Sequence, residues 1–253
     1  MIYCDSHIHI AQCEISDDSN DIFFSENYFC VSSCHSEDDF LASSKFYASF
    51  GIHPQAVLED KNGKKRYGDE DFDFLEILAK EKRIVAAGEI GLDFFTAELK
   101  EKRAEQTKIF ERQLETALKY SLPAVLHLRK SIEAIFSYSK ILSELPSVIF
   151  HSFPGTVLEA KSLLRHKING FFSFGKPILN GRKASVQCVK DLPLDRILLE
   201  TDAPYQTLKN EILTSPSDIK NVYSEAAKLR NIGENELSEN IFVNFKKAYQ
   251  IQS

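Results

Sequence analysis

Residues 84–93 read IVAAGEIGLD, an apolar run from Ile84 to Gly88 that stops at one carboxylate, Glu89, and reaches a second at Asp93. A short run of this composition predicts a buried strand with chemistry placed at its C-terminal end. Working outward, similar runs precede it at Ile2–Asp5, Tyr28–Ser32 and Phe46–Phe50. Others follow at Ala124–His127, Val148–Phe150, Gly170–Ser173 and Ile197–Glu200. Helical patterns separate most of them. Phe110, Leu114, Ala117 and Leu118 form one stripe of a long helix expected over Lys100–Tyr120,. Val157, Ala160 and Leu164 mark a second helix, and Leu237, Ile241, Phe245 and Ala248 a last one. Eight strands with intervening helices predict an α/β fold of the (β/α)8 TIM-barrel type, with an open doubly wound sheet as the alternative. The connection from His9 to Asn27 has no helical stripe, so the first βα unit is expected to be abbreviated. Asp60–Gly68 (DKNGKKRYG) reads as a polar loop rather than a linker, and a single domain over residues 1–253 is expected.

Composition narrows the class. The 253 residues are 43% hydrophobic and 27% charged, enough for a sizeable core,. No run of about 18 apolar residues occurs, so no membrane span is expected. Met1–His7 has neither a basic segment nor a long apolar one, so no secretory signal is expected,. Five cysteines (4, 13, 30, 34, 188) are an odd number without zinc-type pairs, which points to reduced thiols in a cytoplasmic protein,. The net charge of −6 argues against a broad nucleic-acid-binding face, although handling a strand end needs only a local basic patch,.

Polar residues gather where the apolar runs stop. The first run ends in Asp5-Ser6-His7-Ile8-His9, and residues two apart on a strand share a face, so His7 and His9 can address one cation,. Glu89 and Asp93, His127, His151, Glu200 and Asp202 occupy the ends of other strands. In a parallel barrel these ends converge on the catalytic face. Imidazole and carboxylate together suit zinc, manganese or another divalent ion, and a carboxylate can bridge two ions. Singly, an HxH pair, a strand-end histidine or an Asp before Ala203-Pro204 has a bland explanation in packing or a turn. Their coincidence at five of eight strand ends does not.

Several motifs resemble the TatD family within the amidohydrolase superfamily. They are Asp5–His9, Gly51-Ile52-His53-Pro54, Gly88–Asp93, Gln106 with Phe110 and Gln113, His127-Leu128-Arg129, His151–Gly155, Phe172–Gly175, Pro193–Arg196 and Leu198–Tyr205. The resemblance runs nearly the whole chain in order. It implies two divalent ions (zinc, magnesium or manganese) held by His7, His9, Glu89, His127, His151 and Asp202, with Glu89 as the bridge. It also implies deoxyribonuclease activity, in several members from the 3′ end. His53 is then a phosphate contact or a packing residue before Pro54, and Glu200 an anchor behind a ligand or a further ligand. The chain departs from the family at Gln55, where a second histidine is common, in the stretch after Tyr205, and in the short first connection.

The implied chemistry is hydrolysis by a metal-activated hydroxide, with Glu89 between the ions and Asp202 passing the proton to the leaving oxygen. Arg129 adds a guanidinium toward the phosphoryl group or merely opens a helix in solvent. Lys64, Lys65 and Arg66 lie in a βα loop and could contact a nucleic-acid backbone, or could be a solvated charged run. DNA is the expected substrate, and no obligate protein partner or membrane is indicated. A small amide, ester or lactone is the rival substrate, because such a metal pair also polarises carbonyls, and a non-catalytic binding protein is the third reading. No GxSxG elbow or recognisable catalytic cysteine motif is present, and Cys34 is expected to be a bystander.

Overall fold

In the computed structural model, which describes residues 1–13 and 25–252, eight strands form one parallel sheet in sequential order. They are β1 (Tyr3–Ile8), β2 (Tyr28–Cys34), β3 (Tyr47–Phe50), β4 (Ala86–Asp93), β5 (Ala124–Arg129), β6 (Val148–Phe150), β7 (Gly170–Phe174) and β8 (Ile197–Leu199). The sheet curls until its ends meet. Just past β8, the Asp202 amide donates to the His7 carbonyl at 2.9 Å and the His9 amide to the Ala203 carbonyl at 2.8 Å. The Asp5 carboxylate completes this seam, accepting from the Thr201 amide at 2.9 Å and its hydroxyl at 2.6 Å. An open doubly wound sheet, with its reversal of strand order, is therefore excluded.

Helices ring the barrel. The long helix expected over Lys100–Tyr120 breaks at Lys102 into Ala97–Glu101 and Arg103–Lys119. Phe110, Leu114 and Ala117 are fully buried, whereas Leu118 lies at the flank. In Val157–Arg165 the deepest positions are Ala160 and Leu163, with Val157 and Leu164 on either side. Glu234–Ala248 buries its whole expected stripe. The helix after the polar loop starts at Asp69, ahead of its first apolar residue, Phe72. Most of the first connection, expected to be abbreviated, falls on residues 14–24, outside the described residues; the described part holds a 3-10 turn, Ile10–Gln12, and a turn leading into β2.

Two ladder irregularities sit where function was expected. Between Asp5 and Ile8 on β1, and between Ala87 and Ile90 on β4, the partner strand advances one residue fewer. Such bulges re-aim side chains, here those of His7 and Glu89. Gly91 is required beside them: its φ is +145°, and a Cβ there would lie 2.1 Å from the His127 carbonyl oxygen,.

Candidate metal centre

Every residue expected as a ligand reaches one basin at the C-terminal mouth of the barrel. His7, His9, Glu89, His151 and Asp202 are all buried, and His127 is nearly so. Glu89 lies at the centre with its two oxygens facing different partners. Oε2 is 3.4 Å from His7 Nε2 and 3.9 Å from His9 Nε2. Oε1 is 2.6 Å from His127 Nδ1 and 3.7 Å from His151 Nε2. Burial alone would raise this carboxyl, but His53, His151, His7 and His127 outweigh it and hold it well below the usual range,.

Two features fit a divalent cation better than any arrangement of hydrogen bonds. Asp202 Oδ1 is buried without a hydrogen-bond partner among the described residues, 3.3 Å from His9 Nε2, 3.6 Å from His7 Nε2 and 3.8 Å from His151 Nε2. His7 Nε2 and His9 Nε2 face each other at 3.3 Å, two nitrogens converging on one point. Groups of three donors close enough to share an ion are His7-His9-Glu89, His7-His151-Asp202 and His53-Glu89-His127. A buried, unpartnered carboxylate oxygen is costly, and a cation removes that cost.

The outer hydrogen bonds orient the histidine rings. Glu200 is fully buried; its Oε2 lies 3.0 Å from His151 Nδ1 and its Oε1 accepts from the Ser152 amide at 2.9 Å. A carboxylate at Nδ1 keeps the proton there and turns the Nε2 lone pair inward. Burial disfavours charge on His151, yet Glu200, Asp202 and Glu89 outweigh it and push its pKa up to about 10. Asp93, whose chemistry the sequence left unassigned, does the same for His127, with Oδ2 3.3 Å from Nε2. Burial again opposes charge there, and Glu89 with Asp93 pushes His127 up to about 9. Asp93 itself is fixed by Gln55 Nε2 at 2.7 Å and the Phe95 amide at 2.9 Å. Gln55, one of the departures from the family pattern, thus supports the far side of His127.

His53 turns its protonated nitrogen inward instead. Its Nδ1 accepts from the Gln55 amide at 3.1 Å, so in the neutral ring the proton is on Nε2, 3.6 Å from Glu89 Oε1,. That is a donor aimed into the basin, suited to an anionic oxygen rather than a cation. Gln113 holds the loop in place by bonding both the amide and the carbonyl of Ile52, and Gln106 clamps the amide and carbonyl of Asp93.

His35 was missed by the sequence reading. Its Nε2 lies 3.8 Å from Glu89 Oε2, and its Nδ1 donates to the Gly51 carbonyl at 2.9 Å. It follows β2 directly, and ending that strand at Ser32 rather than Cys34 hid it. Six of the seven histidines, all but His166, therefore surround the basin. Cys34 is a bystander: burial pushes its thiol up to about 11, and it leans on Ser32 and Ser43. None of the five cysteines is in a disulfide.

The basin, about 380 Å³, opens into two further cavities. One of about 420 Å³ lies past the ends of β5–β8 and is walled by Arg129 and by Tyr205–Leu208. The other, about 230 Å³, lies past β2 and β3 and includes Arg66. Lys65 instead faces Glu105 at 3.9 Å, and the Lys64 amide closes a turn onto Asp60. The Tyr205–Leu208 wall is tied down from both ends. Gln206 Nε2 donates to Asp202 Oδ2 and Ser152 Oγ, each at 2.8 Å. Farther along, the buried Lys176 ammonium binds Glu211 at 2.5 Å and Asp218 at 2.8 Å. Among the described residues no helix is long and apolar enough to cross a membrane.

The chain is similar to known proteins over nearly its whole length. The model of the family described as TatD related DNase matches residues 4–250. YabD of Bacillus subtilis strain 168, described as an uncharacterized metal-dependent hydrolase, is 29% identical over 213 residues, 81% of this chain and 78% of its own. The 3'-5' ssDNA/RNA exonuclease TatD of Cronobacter turicensis is 32% identical over 183 residues, 69% of this chain and 63% of its own. The crystal structure of YJJV, a TatD homolog from Escherichia coli K12, superposes with a TM-score of 0.85 over 99% of this chain and 98% of that one, at 22% identity. That last likeness concerns the fold.

Proposed function

This chain belongs to the TatD-related DNase family of metal-dependent hydrolases, and on that premise we propose that it hydrolyses phosphodiester bonds at the end of a DNA strand. The observation that carries the proposal is the division of Glu89, one oxygen toward His7 and His9 and the other toward His127 and His151. In this reading His7, His9, Asp202 and Glu89 Oε2 would hold one ion, and His127, His151 and Glu89 Oε1 a second. Zinc, manganese and magnesium are the candidates. When bound, the ions would supply Lewis acidity and charge neutralisation at the phosphoryl group.

The chain's own groups do the rest. Glu200 and Asp93 hold the His151 and His127 rings with their lone pairs turned inward. His53 Nε2–H donates to a non-bridging phosphate oxygen, while the Arg129 guanidinium, 3.6 Å over the Phe95 ring, stands where the basin meets the β5–β8 cavity,. Asp202 Oδ1 takes the proton of the attacking water and returns it to the leaving oxygen, while Gln206 fixes its other oxygen,. The buried floor of the basin limits competing water. Arg66 is the member of the Lys64, Lys65 and Arg66 run best placed to meet a nucleic-acid backbone, because it lines the small cavity. Five unpaired thiols suit a reducing compartment such as the cytoplasm,.

A substrate panel tests the proposal: single-stranded DNA labelled at its 5′ end, bis(p-nitrophenyl) phosphate and an acyl ester, with wild type and Asp202→Asn. Turnover of both phosphodiesters, falling by roughly 10²–10⁴ in the variant, is expected for loss of an acid–base group. Turnover of the acyl ester alone would replace the nuclease reading with carbonyl hydrolysis. Near-wild-type turnover in Asp202→Asn would remove Asp202 as the proton carrier.

A further inference from the structure

The larger side cavity has a charge pattern that phosphodiester chemistry at the basin does not use. It shares His127, Arg129, His151, Asp202 and Tyr205 with the basin and runs out past the ends of β5–β8. It carries two guanidiniums, Arg129 at the boundary with the basin and Arg182 beyond it, and neither makes an ion pair among the described residues. Asp202, on the basin side, is the only carboxylate lining it. The remaining polar groups, Ser152, Asn180, Gln206 and Thr207, are neutral. The small cavity on the opposite side is balanced, with Arg66 matched by Asp71.

Two guanidiniums without an ion pair line one cavity beside the basin, and on a chain of net charge −6 such a pocket stands apart. An anion entering the cavity balances that charge. Arg129 is held in place by its stacking on Phe95, itself half exposed at the rim. Arg182 follows Gly181, whose φ of +73° turns the chain so that residue 182 opens the helix Lys183–Asp191. A volume of about 420 Å³ falls in the range that takes one small-molecule-sized group such as a nucleotide,.

We propose that Arg182, with Arg129, forms a second phosphate subsite for the nucleotide adjoining the scissile bond, so that the uncut strand leaves the basin over the β5–β8 side. This rests on the nuclease reading above. The continuing strand is a polyanion, and the β5–β8 exit is lined by two arginines against one carboxylate, where the opposite exit has one of each. Arg182 acts by binding and takes no part in proton transfer.

The test is a substrate ladder with the metal-loaded full chain: a dinucleotide with one phosphodiester, then single strands with one and with several additional phosphates. In wild type kcat/KM should rise roughly tenfold when the first additional phosphate is present, as for one charge-assisted contact. Arg182→Ala should erase that step, and Arg182→Lys should restore part of it, which a purely structural role would not require. A second readout is equilibrium binding of a phosphorothioate-linked single strand at several salt concentrations. Arg182→Ala should flatten the slope of log K against log salt by about 0.7 for one lost phosphate contact. An unchanged ladder and slope in Arg182→Ala would overturn the subsite while leaving the nuclease reading intact. A wild-type chain that neither binds nor cuts any member of the ladder would overturn both.

Discussion

Replacing Lys176 by methionine should cost about 3 kcal/mol of stability and loosen the wall of the catalytic basin. The lysine is 1% exposed, and its ammonium lies between Glu211 at 2.5 Å and Asp218 at 2.8 Å. Methionine fills the same tunnel but leaves two carboxylates facing each other. Removing one partner of a buried ion pair costs about 3–5 kcal/mol. The lower end applies, because the Glu211 and Asp218 side chains are 35% and 22% exposed and regain part of their hydration,. In a chain of this size each kcal/mol moves the melting temperature by about 2–4 °C, so thermal unfolding followed by circular dichroism should drop by roughly 6–12 °C. The triple variant Lys176→Met, Glu211→Gln, Asp218→Asn should recover most of the loss. Glu211 also accepts from the Leu208 amide at 2.7 Å, so the wall that carries Gln206 toward Asp202 should slacken and kcat should fall as well. A Lys176→Met melting temperature within about 2 °C of wild type would refute the assignment of the triad as a structural clamp.

Glu200→Gln should weaken metal binding about 10–100-fold, read by competition with a chromophoric chelator, because the His151 ring loses the carboxylate that fixes its tautomer,. The metal-free protein should lose stability as pH rises. His127 and His151 are raised from 6.5 to about 9 and about 10, so their contribution is complete below about 6.5 and disappears as pH passes through those values,. Melting temperatures of metal-free protein from pH 6 to 10 check this, and loading the ions should flatten the profile. Lys64→Ala, Lys65→Ala and Arg66→Ala together should weaken single-strand binding and reduce its salt slope, with turnover of a small phosphodiester nearly unaffected; an unchanged slope would return the loop to solvent.

The barrel was legible because its strands are short apolar runs that end in chemistry. All eight were foreseen, with bounds that stopped short at several ends carrying polar residues, as at β1, β2 and β4, and ran one residue long at β8. That truncation cost His35, which sits one residue past Cys34 and obeys the same rule that exposed His127 and His151. Glu200 was noticed, but its 3.0 Å contact with His151 spans 49 residues and leaves no local pattern. The roles of Asp93, Gln55 and Lys176 arise from pairings distant in sequence and leave no local pattern. The two bulges are likewise invisible in periodicity, because one extra residue in a ladder changes no composition,.

The most direct measurement of the central claim is hydrolysis of single-stranded DNA by the chain before and after rigorous chelation, with bound metal counted in the same samples. The expected result is two divalent ions per loaded chain, loss of hydrolysis on their removal, and recovery when zinc, manganese or magnesium is restored. Glu89→Gln should lower occupancy at both positions together, since one carboxylate serves both. Undiminished hydrolysis by metal-free protein, or Glu89→Gln retaining both ions at wild-type affinity, would contradict the account.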